Sequence, residues 1–456
     1  MIKPGMRTAG KYRKPNYWAG GQPPPVALAN TWFFRLVSLA FISLVVPVLG
    51  LLLRGFVGFF LVMGLAVMAG QREDSLGRVK RAVREGVSEN KWLVLFAVWY
   101  GVGAVLNIWL RGNGLSDWRL MISPIVLVIG VYFAVGFFRD ESACRAFQIA
   151  LALMLGLQAL VTISELSSTV AIAREMWAEL QGAWEFGNQG IYALWTMLLP
   201  MLIWRAVAER GWLRVLLLVA AILTGIAVSI ASFATPIGLL AIAGGVIGGL
   251  VLLFPVKGLH RLTAMVIVLI ILGSVVLGYS ATRDNPLFGA SYSRIENLLT
   301  NFEGGGYAGN NVAVSRVLLA DISIKSFLAE PFLGMGGGSI RLSPYVGGHS
   351  LFLDNFGAYG LLGGGGAFAG VVLVMLVTAG LRFLKDRRWE TLLALTSVVL
   401  LVVCVVTNPF GEGTQTVLIL IVTRPFWPLV TSGPDRQETK TVLRQSYRHH
   451  QVWRVR

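Results

Sequence analysis

Cysteine, histidine and charge are all scarce in this chain. Two cysteines in 456 residues, Cys144 and Cys404, supply neither a disulfide framework nor the paired spacing of a zinc or redox site. Four histidines, with no HExxH run and no Walker loop beside them, leave zinc chemistry and ATP hydrolysis without sequence support. No metal and no cofactor is therefore expected. Charged residues make up only 14% of the chain, against about 25% in soluble domains. That excludes an ordinary water-soluble fold.

Apolar length takes the place of charge: hydrophobic residues account for 55% of the sequence. A run of about 17–25 apolar residues spans a bilayer, because a helix satisfies its own backbone polar groups in lipid. Such runs centre on residues 36–53, 55–70, 92–110, 120–138, 146–166, 188–204, 215–232, 236–254, 262–281, 358–381, 391–407 and 414–431. They predict an all-α polytopic membrane protein of about twelve transmembrane helices, the first two short enough to form a re-entrant hairpin instead. The first thirty residues are polar, basic and rich in Pro and Gly, and predict no cleavable signal peptide.

An even number of spans puts both termini on one side. Thirty of the 39 Lys and Arg residues fall on that side and nine on the other, so the positive-inside rule predicts cytoplasmic termini. The same distribution accounts for the net charge of +16. Its cations sit in short loops and tails, where they orient insertion and meet anionic headgroups; a membrane is expected as partner, and nucleic acid is not. The chain divides into a basic N-terminal tail (1–35), spans one to nine (36–281), a large outer loop (282–357), spans ten to twelve (358–431) and a basic C-terminal tail (432–456).

On the outer side, residues 165–187 read as an amphipathic surface stretch whose Trp177, Trp184 and Phe186 anchor at the interface. The longer outer loop holds five of the nine outer cations: Arg283, Arg294, Arg316, Lys325 and Arg341. A loop far longer than a connector requires usually carries function. Residues 312–334 within it read as a helix capped by Asn310, Asn311 or Ser315 and stopped near Pro331. Val314, Leu318 and Ile322 share one face of that helix, while Arg316, Ala320 and Ser323 share another. A guanidinium fixed on a helix binds phosphate through two parallel charge-assisted hydrogen bonds, which lysine does not reproduce. The plainer reading of Arg316 is a surface arginine reaching to headgroups.

A glycine-rich polar passage, residues 334–366, follows and contains His349; His260, His449 and His450 lie beside basic clusters on the opposite side. A neutral imidazole near pH 7 accepts a proton from a hydroxyl. The plainer reading is a histidine that opens a helix and bonds to backbone. Asp354 stands five residues on, as a candidate to orient or charge-balance it, and Gly357, Gly360 and Gly363 to Gly366 permit close helix packing. Glu412, in the outer turn between the last two spans, is a candidate second carboxylate.

The order of these parts resembles the O-antigen ligase/polymerase superfamily. Arg316 on a loop helix is followed by Glu330-Pro331-Phe332-Leu333-Gly334-Met335-Gly336, then a polar loop, then His349-Ser350 running through Leu353 to Gly357, Gly360 and Gly363 as a span begins. The resemblance implies a GT-C-like, metal-independent glycosyltransferase of the bacterial inner membrane with a periplasmic catalytic loop. Its donor would be an undecaprenyl-diphosphate-linked oligosaccharide, its acceptor a glycan or lipid-linked repeat unit, and a chain-length regulator a further partner. By carry-over Arg316 would bind the donor diphosphate and His349 would act on the acceptor hydroxyl. The ligases carry a second arginine where span seven turns into span eight; here residues 229–236 read SIASFATP, which tilts the resemblance towards the polymerases. Arg341, Arg294 and Arg283 are the remaining candidates for a second cation. A ligase that transfers glycan to lipid A-core stays open, as does a lipid-linked glycan transporter or flippase.

Overall fold

The computed structural model describes residues 30–52, 56–73, 75–111, 121–136, 141–168, 189–230, 234–257, 312–336, 346–347, 350–407 and 412–424. These residues are organised as α-helices joined by short connections; the one bridge among them pairs Lys257 with Arg388. Six helices are long and apolar enough to cross a membrane: α5 (Lys91–Arg111), α7 (Glu141–Ser168), α8 (Gln189–Ala208), α9 (Gly211–Ile230), α13 (Gly365–Asp386) and α14 (Trp389–Thr407). Four shorter ones are also apolar: α1 (Trp32–Ser43), α3 (Phe56–Arg72), α6 (Ile122–Gly136) and α10 (Ala234–Leu253). The others are α2 (Pro47–Leu52), α4 (Ser75–Glu89), α11 (Val312–Ala329), α12 (Leu351–Tyr359) and α15 (Glu412–Thr423). The run at 262–281 and most of the surface stretch at 165–187 lie outside the described residues.

The first helix shows how an irregular backbone is tolerated in such a bundle. Thr31 caps α1, its hydroxyl accepting the Phe34 N–H at 3.2 Å, and the Glu73 carboxylate accepts the Trp32 N–H at 3.0 Å. Both satisfy donors that a helix start leaves open. The helix stops short of Pro47, whose ring opposes continuation, and resumes as α2. Between them the Val45 carbonyl accepts the Trp195 indole N–H at 3.0 Å, and in the first turn of α2 the Val48 N–H donates to Gln158 Oε1 at 3.0 Å. Trp195 and Gln158 are buried, so two long helices supply the partners that water would supply elsewhere.

Contacts among the helix termini define two ends. At the basic end, cations lie over aromatic rings: Arg35 over Trp32, Lys91 over Trp92, Arg205 over Trp204 and Arg387 over Phe254. The amphipathic α4 packs against α6 there, with Gly86 pressed onto the Val135 carbonyl. Arg424 donates to the Ala134 carbonyl at 2.9 Å, and Gln148 donates to the Val422 carbonyl at 2.8 Å, closing the C-terminal ends of α6 and α15. Arg205 reaches Gln148 Oε1 at 2.5 Å and Glu209 at 3.3 Å, while Arg145 grips Glu209 at 2.7 and 2.5 Å. Glu209 thereby ties α7 to the end of α8.

The hydrogen bonds from Arg145, with the charges of Arg145 and Arg205, hold the Glu209 carboxyl below the usual carboxylate range, against the desolvation that opposes them. A group depressed in the folded state stabilises fully above its unfolded value and loses that contribution as pH falls through the folded one. Glu209→Gln should therefore lower stability at neutral pH by roughly 1–2 kcal/mol, Arg145 being half in solvent. The gap from wild type should close as the pH is taken below about 4. Thermal unfolding in detergent measures both, and a pH-independent gap would contradict the assignment.

Candidate functional site

At the opposite, glycine-rich end, α11 and α12 pack against each other. The inward stripe of α11 carries Leu319, Ala320, Ser323, Ser326 and Phe327, while Leu318, Ile322, Ile324 and Leu328 are exposed. Phe327 meets Phe356 of α12 edge-on, with ring centroids 5.5 Å apart. Gly357 and Gly347 let the backbones close: a Cβ on Gly357 would sit 2.9 Å from the Ser323 carbonyl oxygen, and one on Gly347 would overlap Leu319. The sequence expectation of close packing through the glycine run holds at Gly357.

Ser323 joins the parts chemically. Its hydroxyl donates to Asp354 Oδ1 at 2.6 Å and accepts the Gly347 N–H at 2.9 Å. The other Asp354 oxygen accepts the Ser350 N–H at 3.3 Å, and Ser350 Oγ in return accepts the Leu353 N–H at 3.4 Å. Ser350 and Asp354 thus form a reciprocal cap at the start of α12, related to the capping box but one residue longer. Ser323 and Asp354 are both essentially inaccessible to solvent. One buried carboxylate therefore fixes α11, the chain at Gly347 and the start of α12 together.

The E-P-x-x-G-x-G segment turns back along α12. Gly334 and Gly336 have φ of 70° and 72°, a region where a side chain is strained. Their conformation lets the Met335 N–H donate to the Gly357 carbonyl and the Gly336 N–H to the Ala358 carbonyl, each at 2.9 Å. After α12 the chain turns at Gly360, φ 63°, and re-enters helix only after Gly364, φ 133°. Within that turn the Leu361 and Leu362 N–H groups donate to the Pro331 and Phe332 carbonyls at 2.9 and 2.8 Å.

Both irregular segments lean on α5. Trp99 Nε1–H donates to the Leu362 carbonyl at 2.8 Å, and Asn107 Nδ2–H donates to the Leu333 carbonyl at 2.6 Å. Arg111 donates to the Gly334 carbonyl and pairs with Glu330 at 3.4 Å. Gly103 lies under the backbone of Gly363, where an added Cβ would come within 2.8 Å of the carbonyl group.

Three expectations are corrected in detail. Ser315 lies inside α11, which begins at Val312, so it is not the cap. The helix after the polar loop is opened by Ser350 rather than His349. The span expected from 358 begins at Gly365, because Gly360 and Gly364 interrupt the helix. Asp354 is the candidate to orient or charge-balance His349, which lies outside the described residues; among the described residues Asp354 bonds Ser323 and Ser350.

Arg316 falls in the first turns of α11, seven residues before Ser323. Glu412 opens α15. For both residues the description extends to the backbone. His349, Arg341, Arg294 and Arg283 lie outside the described residues, although Gly347 and Ser350 on either side of His349 are fixed as above. Sequence reasoning missed Asn107 and Arg111. Their signal was an amide in an apolar run followed at i+4 by an arginine on the cation-poor side.

Compared with protein-family models and with curated proteins, the chain finds no match in either. The site thus stands on its own geometry.

Ser323→Ala removes at once the donor to Asp354 and the acceptor of the Gly347 N–H. Each buried group left unpaired costs about 1–3 kcal/mol. The variant should unfold at lower temperature and exchange its Gly347 amide faster in hydrogen exchange. Wild-type protection at Gly347 would show that Ser323 does not hold this segment.

Proposed function

We propose that the chain is a membrane-embedded glycosyltransferase of the O-antigen polymerase kind, which moves an undecaprenyl-diphosphate-linked glycan onto a sugar hydroxyl of a lipid-linked repeat unit. The observation that carries the reading is the Ser323–Asp354 junction. It brings the helix of Arg316 against the residues that flank His349, and these are the two parts the resemblance assigns to donor and acceptor. The cation–aromatic pairs gathered at the opposite end support a cytoplasmic placement of that end. The glycine-rich end then faces the periplasm, in a protein of about twelve spans with its loop at 282–357 and both termini inside.

The chemistry is a single displacement. The acceptor oxygen attacks the anomeric carbon as the bond to the diphosphate oxygen breaks, and the configuration inverts. His349 takes the hydroxyl proton. Arg316 stabilises the charge that develops on the leaving lipid diphosphate, with Arg341, Arg294 and Arg283 as candidate second cations and Glu412 as a candidate contact to the glycan. Asp354 serves by fixing the chain on either side of His349.

His349→Ala should abolish long polymer while the protein still inserts at its normal level; polymer of wild-type length from that variant would remove His349 from the mechanism. Arg316→Lys should lose most activity, at least tenfold, since a point charge does not reproduce the guanidinium fork; full retention would leave Arg316 a structural residue. The glycan of a strain lacking the gene separates polymerase from ligase. Single repeat units on the final acceptor identify a polymerase, whereas polymer stranded on undecaprenyl diphosphate identifies a ligase.

A further inference from the structure

Trp99, Gly103, Asn107 and Arg111 are spaced by four residues and lie on one stripe of α5. Every member meets backbone of the same two irregular segments. Trp99 and Asn107 hold the Leu362 and Leu333 carbonyls, Arg111 holds the Gly334 carbonyl and Glu330, and Gly103 admits Gly363. The contacts advance in order, with Trp99 near the middle of α5 and Arg111 at its end. The segments they hold are bonded to each other and to the last turn of α12. From our reading of the site as a glycosyltransferase, we infer that this stripe is the positioning element of the reaction centre. It sets the depth and register of residues 330–336 and 360–364, and through α12 the place at which Ser350 and its neighbours meet the acceptor hydroxyl.

The four residues are positioning residues and not catalytic ones, because the N–H donors of Trp99, Asn107 and Arg111 are directed at main-chain carbonyls and at Glu330, and Gly103 only admits backbone. Two features make the stripe more than packing. A carbonyl left open in a low-dielectric site costs more than a lost van der Waals contact, so each donor selects one arrangement of the loop. The glycines at 334, 336, 360 and 364 all have positive φ, so the segments have little helical or strand preference to fix them from within. Their shape must be imposed from outside, and α5 supplies that constraint. Displacement of reacting groups by about 1 Å costs up to roughly a hundredfold in rate.

The test uses full-length protein in proteoliposomes, with the host's own lipid-linked repeat unit, extracted from cells lacking the gene, as donor and acceptor. Asn107→Ala and Arg111→Ala should lower kcat at least about tenfold while KM changes by less than about threefold, and Arg111→Lys should recover part of the loss. Amide hydrogen exchange should quicken at residues 334–336 and 361–362 in both alanine variants. Trp99→Phe keeps an aromatic side chain while removing the indole N–H, a milder substitution that gives the same local exchange change should the alanine variants fail to fold. Wild-type exchange and wild-type kcat in these variants would overturn the inference. So would a loss that falls on KM, which would mean that Arg111 binds the donor itself. If exchange quickens as expected but the wild-type protein transfers no glycan, the glycosyltransferase reading falls, and the role of α5 in holding the two segments stands.

Discussion

A carbonyl that leaves a helix inside a bilayer has no water to turn to, and the departures from helix described above are governed by that constraint. Where the backbone breaks, a side chain from a neighbouring long helix meets it. Trp195 and Gln158 serve the break before Pro47, Gln148 and Arg424 serve the ends of α15 and α6, and Trp99, Asn107 and Arg111 serve the two segments beside α12. Amides, indoles and guanidiniums are the right groups for this work, since each offers N–H donors at the end of a side chain long enough to cross a helix interface. Few polar residues occur in the apolar helices, and most of those named here are committed to such tasks.

The two ends of the bundle use polarity differently. At the basic end full charges neutralise each other around Glu209, and exposed cations rest on aromatic rings, as befits a surface that meets headgroups. At the glycine-rich end the described polar groups mostly bind main chain. The buried carboxylate of Asp354 accepts from a hydroxyl and a backbone N–H. That arrangement shapes the chain around the start of α12.

Much of the helical architecture was legible in the sequence, because long apolar runs carry it directly. So was α11, though read on to 334 past its end at Ala329, together with the division between Leu318 and Ile322 on one face and Ser323 on the other. The turn at 360–364 was not. A window of hydropathy reads Leu361 and Leu362 as the start of a span and does not register that the glycines around them take left-handed φ. Asn107 and Arg111 were passed over because their partners stand 226 and 219 residues away, a separation that local pattern does not bridge. Ser323 was placed on the correct face without a role, since its role depends on Asp354, 31 residues later.

Those separations bear on how the molecule is made. Trp99 and Leu362 are 263 residues apart, so α5 enters the membrane long before the segments it will hold have been synthesised. During that interval Asn107 and Arg111 present donors with no native acceptor, and α5 must be held by α6, which follows it directly in the chain and packs against it. The glycine-rich end is therefore among the last parts of the protein to acquire its native contacts, after most helices have been inserted. Its maturation is a post-insertional event, and a chain interrupted before α12 would leave the membrane with a bundle that lacks its site.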